Sequence, residues 1–237
     1  MTALLQWPDF NETYQVSLSR SLNPFELGQH SNRMLQDGYT IIRGLFDTSN
    51  FLHLNTALDL LKSNQIEPVG IITHPLFWQI TQSLHSIILH LLKEPYHILP
   101  EIWAWDIPQG KQHKGWAPHR EKTFSTIQPN NQPNSLSVWI PITNATPENS
   151  CMYVLPACDD IHYPTGDTDY DIPLQSIRAL PASPGDIIIF NHNIIHWGSQ
   201  SSQWAPEPRR AMAFECQIER QTAYNTPTFK PLIKPSK

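Results

Sequence analysis

Pro184-Gly185-Asp186-Ile187-Ile188-Ile189-Phe190 is the stretch that decides the fold. A Pro-Gly-Asp turn leads into four apolar residues, three of them β-branched, and this combination is typical of a strand after a tight turn. From residue 96 onward the chain repeats the pattern, because short apolar runs alternate with Pro, Gly and Asn. Many short strands separated by turns predict a mainly β domain, a double-sheet jelly roll or cupin-like barrel. The candidate strands are His97–Leu99, Glu101–Ile107, Ser135–Ile142, Cys151–Leu155, Ile177–Leu180, Asp186–Phe190 and Arg209–Glu219.

The first part of the chain has a different pattern, in which apolar side chains recur at helical spacing. This spacing predicts amphipathic helices over about residues 50–63 and 75–93 that pack against the sheet. Another helix is expected to end at Gly38, and Tyr39–Phe46 is predicted as a further strand. Residues 1–30 are expected to form an irregular lead-in.

The whole chain is expected to form one domain. Over residues 1–237, this domain would have a helical N-terminal part at about 1–95 and a jelly-roll core at about 96–223. Hydrophobic residues make up 40% of the sequence, which is enough for one sizeable core. The net charge of −5 and the absence of a basic run argue against a nucleic-acid partner.

Cysteine use and apolar runs give expectations about location. The three cysteines lack CxxC spacing, which argues against a disulfide framework or a zinc ribbon and favours a reducing compartment. The N-terminus lacks a cationic segment followed by an apolar one, so no signal peptide is expected. No apolar run reaches the roughly 18 residues that a membrane helix needs, so we expect a cytoplasmic protein without membrane contact.

His119-Arg120-Glu121 contains two of the three ligands of a candidate metal site. In an extended strand, alternate side chains share a face, so His119 and Glu121 lie together and Arg120 points the other way. His196, which follows the apolar strand 187–190, is the best candidate for the third ligand. Two histidines and one carboxylate form the ligand set of non-haem Fe(II) oxygenases. His192 remains an alternative to His196, because spacing alone does not choose between them.

A 2-oxoglutarate co-substrate would also need a cation. Its 2-oxo acid end chelates iron, so its distant carboxylate requires a partner at the far side of the pocket, and arginine binds carboxylates bidentately. Arg209 and Arg210 open the last strand on opposite faces. The small residues Ala211 and Ala213 share the side of Arg209 and leave room for a ligand, so Arg209 is favoured over Arg210.

Five segments follow one another in a characteristic order. They are Gln36–Phe46, Leu136–Thr146, Met152–Pro156, Pro184–Phe190 together with His196, and Arg209–Ala213. These segments together resemble the phytanoyl-CoA dioxygenase family of Fe(II)/2-oxoglutarate-dependent oxygenases over most of the chain. The resemblance implies a double-stranded β-helix that uses Fe(II), 2-oxoglutarate and O2. It further implies that His196 rather than His192 completes the metal site, and that Trp139 borders the co-substrate.

The chain departs from the family pattern at three places, one of which is that Trp197-Gly198-Ser199 follows His196 where the family often has Gly and then Ser. The family usually has His-x-Asp, whereas the acid here is Glu121, which keeps a charged oxygen donor but adds a methylene. The family's Pro-Gly-Ser-His segment is replaced by Pro156-Ala157-Cys158-Asp159.

The resemblance implies a dioxygenase, with hydroxylation as the expected outcome and desaturation or ring formation as alternatives. Trp and Tyr residues expected at the pocket edge favour an apolar or amphiphilic small molecule, such as a natural-product intermediate, as the substrate. Trp116, Arg120 and the loop 159–173 are expected to shape the substrate pocket. Two alternatives come from other classes of protein. One is a non-catalytic jelly-roll ligand-binding module, and the other is a cupin-type isomerase or epimerase that uses the histidines as acid and base without O2.

Overall fold

Four α-helices and one strand occupy the first part of the described chain, and the remaining strands follow. The computed structural model describes residues 15–110, 115–166 and 172–231. In these ranges the helices are α1 (Pro24–Asp37), α2 (Ser49–Ser63), α3 (Pro75–Ser83) and α4 (His85–Leu92). The strands are β1 (Tyr39–Ile42), β2 (Tyr96–Ile107), β3 (Ser135–Pro141), β4 (Met152–Leu155), β5 (Arg178–Leu180), β6 (Ile187–Asn191), β7 (Ile195–Gly198) and β8 (Arg209–Ile218). None of the helices in these ranges combines the length and apolar character that crossing a lipid bilayer requires.

The strands form two antiparallel sheets whose inner faces pack against each other. The large sheet has the order β1-β6-β3-β8-β2 and the small sheet the order β5-β4-β7. On β6, Ile187 and Ile189 join the core on the helical side, whereas Ile188 and Phe190 face the small sheet. This alternation makes the large sheet a buried middle layer between the helices and the small sheet. The predicted mainly β, double-stranded β-helix fold is confirmed.

The helices cover the outer face of the large sheet with the apolar residues that their spacing predicted. Phe51 and Leu58 of α2 and Phe77 and Ile88 of α3 and α4 are almost fully buried in one cluster with that face. Burying such side chains contributes about 1.5–3 kcal/mol each, so the helical layer supports the sheet that carries the candidate site.

Three predicted element boundaries were wrong, each for a local reason. Helix α1 begins inside the predicted irregular lead-in, because Asn23 and Glu26 form a reciprocal capping box at its start. The predicted helix over 75–93 is divided at Leu84, whose ψ of −5° departs from regular helical geometry. The predicted strand after Gly38 ends at Ile42, since Gly44 turns the chain with a φ of +56°.

The predicted break at Pro100 is absent, and β2 runs continuously past it. The pairing of β2 with β8 changes register between Ile98 and Ile102, so the proline lies in an irregular step where no ladder hydrogen bond is needed. His196 lies on a strand of its own, β7, which the sequence pattern did not predict.

Candidate active site

The structure brings His119, Glu121 and His196 together. One ligand atom of each lies within 4.8 Å of the others. His196 is on β7, and His119 lies beside it through a pair of backbone hydrogen bonds, with N···O distances of 3.1 and 2.9 Å. This bridge keeps the 119–121 segment extended, so that His119 and Glu121 share the face that the sequence pattern predicted.

Backbone contacts fix which ring nitrogens face the site. His119 Nδ1 lies 2.9 Å from the carbonyl oxygen of Ala117, and His196 Nδ1 lies 3.2 Å from that of Ile194. Because a carbonyl oxygen can only accept, each Nδ1 donates its hydrogen, and each Nε2 is the nitrogen available to a metal. His196 Nε2 lies 3.3 Å from Glu121 Oε1.

The environment favours the protonation states that bind a metal. Burial lowers the pKa of His119, and repulsion from His196 lowers it further, so the imidazole stays neutral near pH 7. Burial would raise the pKa of Glu121, but the hydrogen bond that a protonated His196 donates and the positive charge of the neighbouring histidines, when they are protonated, outweigh burial and lower that pKa to about 2. A neutral imidazole and an ionised carboxylate are the ligating forms of these groups.

His192, the alternative third ligand, lies elsewhere. Its ring is fully buried, with Nε2 3.5 Å from Glu215 Oε2, and burial lowers its pKa to about 4. His192 lies four positions before His196, but the turn between β6 and β7 intervenes, so the two side chains do not follow the alternation of one strand. The group with His119 and Glu121 is completed by His196.

Arg209 lies in an aromatic cage. Its guanidinium carbon is 5.6, 5.5 and 5.7 Å from the ring centres of Trp105, Trp116 and Trp139, respectively. Arg209 is only 3% exposed, and its Nε has no hydrogen-bond partner. Burial lowers its pKa to about 9, so the group is still mainly cationic at neutral pH. A buried cation with an unused N–H is poised for an anionic ligand.

Arg210 points to the opposite face, as the alternation predicted. Its guanidinium lies 2.6 Å from Asp59 and 3.1 Å from Asp106. These partners satisfy its charge on the helical side of the sheet, away from Arg209.

One cavity of about 310 Å³ joins the three candidate ligands to Arg209. Trp116 and Trp139 both line it, and their roles toward the substrate and the co-substrate stay predictions. Trp116 also lies against Gly198, where a Cβ atom would come within 2.9 Å of the indole. A larger residue at Gly198 would therefore displace one wall of the Arg209 cage.

Arg120 does not line this cavity, contrary to the sequence-based expectation. Its side chain is fully buried and forms an ion pair of 2.7 Å with Asp160. It also donates to the carbonyl oxygens of Asn193 and of Gly166, the latter at 3.2 Å. Alternation sends Arg120 away from the metal ligands on either side of it, so it joins their segment to the β6–β7 turn and to the loop after β4.

The predicted lid over 159–173 is described only in part. Its residues Asp160 and Gly166 are held by Arg120, and residues 167–171 lie outside the described ranges. The first half of this segment is thus fixed beside the site by a buried contact.

Replacing Arg120 with methionine is expected to destabilise the protein by about 3–5 kcal/mol, because Asp160 would remain as a buried charge without its partner. Urea denaturation followed by circular dichroism measures the effect. Arg43→Met is the matched control, since the Arg43 side chain is 51% exposed where it pairs with Asp186, and about 1 kcal/mol or less is expected. Equal losses of unfolding free energy in the two variants would contradict the inference that the buried Arg120 holds Asp160 beside the site.

Sequence reasoning missed several cavity residues, chiefly Trp103, Trp105, Ser137 and Glu215. The two tryptophans occupy alternate positions on β2, and Glu215 lies an even number of residues after Arg209 on β8. Strand alternation could have placed Glu215 on the Arg209 face, but a glutamate in an apolar run carries no signal of function by itself.

The sequence matches the model of a known protein family. The model of the phytanoyl-CoA dioxygenase (PhyH) family matches residues 72–211, a range that contains all three candidate ligands and Arg209. A search of curated protein sequences gives no significant match.

Several solved structures of similar fold contain iron, nickel or 2-oxoglutarate or are named as dependent on α-ketoglutarate. The α-ketoglutarate-dependent epimerase SnoN from nogalamycin biosynthesis is 14% identical, with a TM-score of 0.65 over 90% of this chain and 97% of its own. EctD from S. alaskensis with bound Fe is 15% identical, with a TM-score of 0.66 over 89% and 86% of the two chains. HygX from Streptomyces hygroscopicus, solved with nickel and 2-oxoglutarate, is 13% identical, with a TM-score of 0.63 over 85% and 89%.

These low identities show a shared fold, whereas the family match concerns the sequence itself. That match spans more than half of the chain and includes the histidines and the glutamate that the fold brings together. The chain therefore belongs to the phytanoyl-CoA dioxygenase family, and it is a 2-oxoglutarate-dependent non-haem iron enzyme.

Proposed function

We propose that this enzyme hydroxylates a small molecule, with Fe(II) held by His119, Glu121 and His196 and with 2-oxoglutarate held by Arg209. The observation that carries the proposal is the single cavity that contains both the three-ligand group and a buried arginine with an unused N–H. Neither feature alone would define the chemistry, but an iron site and a carboxylate partner in one cavity match the two ends of 2-oxoglutarate.

The donor set fits iron. Two imidazole nitrogens and one carboxylate oxygen would occupy one face of the ion and leave positions open for the 2-oxo acid of the co-substrate. When bound, iron with 2-oxoglutarate and O2 supplies an oxidant that can remove hydrogen from a C–H bond, with succinate and CO2 as co-products.

The protein's own contribution is to bind, orient and shield. The ring centre of Phe190 lies 4.5 Å from that of His196, which restricts the rotation of this ligand. The carbonyl partners of His119 and His196 hold both Nε2 atoms toward the site. Trp105, Trp116 and Trp139 exclude water from Arg209, which strengthens its attraction for a carboxylate.

The cavity supports a small-molecule substrate with an apolar body. Trp103, Phe190 and Trp197 line it near the candidate ligands. Two structural neighbours were solved with small organic molecules, SnoN with nogalamycin RO and EctD with 5-hydroxyectoine. A secondary-metabolite-like compound is therefore our proposed substrate class, and hydroxylation is the proposed outcome.

An anaerobic titration tests the proposed ligands. Addition of Fe(II) and then 2-oxoglutarate is expected to give a weak visible absorbance that the His119→Ala variant lacks. His53→Ala is the matched control, since His53 is exposed on α2, and it should retain the absorbance. Failure of the wild-type protein to bind either ligand would favour a non-catalytic jelly-roll binding module instead.

Turnover assays test the reaction class. Candidate substrates are expected to cause succinate release that requires both Fe(II) and O2, together with a product heavier by one oxygen atom. A substrate that is isomerised at the same rate without O2, and without succinate release, would instead support a cupin-type isomerase or epimerase.

A further inference from the structure

We propose that Glu215 and Ser137 form a recognition subsite for a basic nitrogen of the substrate, in the part of the cavity that faces the candidate metal ligands. This inference rests on the proposed function, because it assumes that the cavity binds a substrate beside an iron centre. It adds a substrate feature that the three-ligand group and Arg209 do not specify.

Strand register places the two residues level with the metal ligands. Ser137 on β3 is paired with Glu215 on β8 and, on its other side, with Phe190 on β6. These three side chains form one row across the inner face of the large sheet. Because the Phe190 ring packs against His196, the row lies at the height of that ligand, and all four residues line the cavity.

The same strand separates this subsite from the proposed co-substrate end. Arg209 and Glu215 share a face of β8 and lie about 20 Å apart along an extended strand. Ala211 and Ala213 lie between them on that face and leave the space open. A 2-oxoglutarate molecule bound to Arg209 would therefore leave Glu215 to the second substrate.

Both side chains are buried with polar atoms unused. Glu215 is 4% exposed and Ser137 is 3% exposed, and neither Glu215 Oε2 nor Ser137 Oγ has a hydrogen-bond partner. His192 Nε2 is 3.5 Å from Glu215 Oε2, at the outer limit of a hydrogen bond. A buried polar atom without a partner is costly, and a ligand group that reached either atom would remove that cost.

The surrounding charges select the sign of the ligand. Burial and, to a smaller extent, the carboxylates of Glu121 and Glu101 together raise the pKa of Glu215 to about 8. Lys122 opposes this effect, but its ammonium lies over the Tyr224 ring at 5.2 Å. A ligand cation would relieve the repulsion among the carboxyl groups, whereas an anion would add to it. Trp103 and Phe190 supply aromatic faces that suit an alkylammonium group.

A purely structural Glu215–His192 pair is the alternative. It predicts that altering Glu215 lowers stability without changing which ligands bind. The subsite predicts a change in ligand preference, including in a variant that stays folded.

The test uses matched pairs of ligands that differ only at the nitrogen. Phenethylamine and 2-phenylethanol, tryptamine and tryptophol, and cyclohexylmethylamine and cyclohexylmethanol are titrated by calorimetry into protein loaded with a redox-silent divalent metal and 2-oxoglutarate. Wild-type protein is expected to bind at least one amine about 10-fold or more tightly than its alcohol. Glu215→Gln should abolish that preference, while Glu219→Gln, an exposed change of the same charge on the same chain segment, should retain it.

Two further readouts separate the possible failures. The absorbance of the Fe(II)–2-oxoglutarate complex should be the same in Glu215→Gln as in the wild-type protein. If the wild-type protein itself lacks this absorbance, the proposed function is refuted rather than the subsite. Ser137→Ala removes no charge and should reduce the amine preference to a smaller extent. A wild-type protein that prefers no amine over its alcohol, or a folded Glu215→Gln variant that keeps the preference, would overturn the subsite.

Discussion

Replacing Arg209 with methionine is expected to raise the 2-oxoglutarate concentration for half-maximal turnover by about 100-fold, while Fe(II) binding is kept. The guanidinium lies in a tryptophan cage where water competes poorly for its N–H groups. Hydrogen bonds to charged groups contribute about 1.5–3 kcal/mol each, and a bidentate contact provides two of them. Methionine preserves the apolar contacts of the side chain and removes only the charged fork.

Arg210→Met is the control for this prediction. Its guanidinium is bound by Asp59 and Asp106 on the helical side of the sheet, so its loss should reduce stability without changing 2-oxoglutarate affinity. Steady-state assays over a range of 2-oxoglutarate concentrations, with anaerobic titrations beside them, measure both variants. An Arg209→Met enzyme with ordinary 2-oxoglutarate affinity would show that another cation binds the co-substrate.

Strand alternation explains why much of the site could be predicted from sequence. It placed His119 and Glu121 on one face and separated Arg209 from Arg210, and the structure has both arrangements. The same rule argued against a pocket role for Arg120, because a residue between two inward ligands must point outward. The expectation that Arg120 shapes the substrate pocket ignored that rule and was wrong, because the Arg120 side chain instead forms a buried ion pair with Asp160.

The other parts of the site depend on information that a single strand does not carry. His192 and His196 could not be separated by spacing, because the turn between β6 and β7 changes the phase of the alternation. Ser137 and Glu215 become neighbours only through the pairing of β3 with β8, which is a property of the sheet. The start of α1 at Pro24, by contrast, could have been predicted from the local sequence, because Asn23 and Glu26 have the spacing of a capping box.

The second large effect is expected at Glu121, where the family usually has aspartate. Glu121→Gln keeps the length of the side chain and removes its charge, so Fe(II) affinity should fall by about 100-fold or more and turnover should be lost. In other metal sites, mutating a residue that only hydrogen-bonds to a metal ligand reduces metal affinity by about 10–100-fold. Removing the charge of a ligand itself should reduce metal affinity by more. Competition with a chelating dye under anaerobic conditions measures the affinity.

Glu121→Asp separates the charge of this ligand from its reach. The backbone on either side of Glu121 is fixed, since His119 is bridged to His196 and the Lys122 N–H donates to the His192 carbonyl oxygen at 3.1 Å. An aspartate carboxylate would therefore withdraw by roughly one carbon–carbon bond, about 1.5 Å, from the position at which Glu121 meets His196. We expect iron affinity between that of the wild type and that of Glu121→Gln. If Glu121→Asp binds iron as well as the wild type, the segment must move to compensate, and if Glu121→Gln does so, Glu121 is not a ligand.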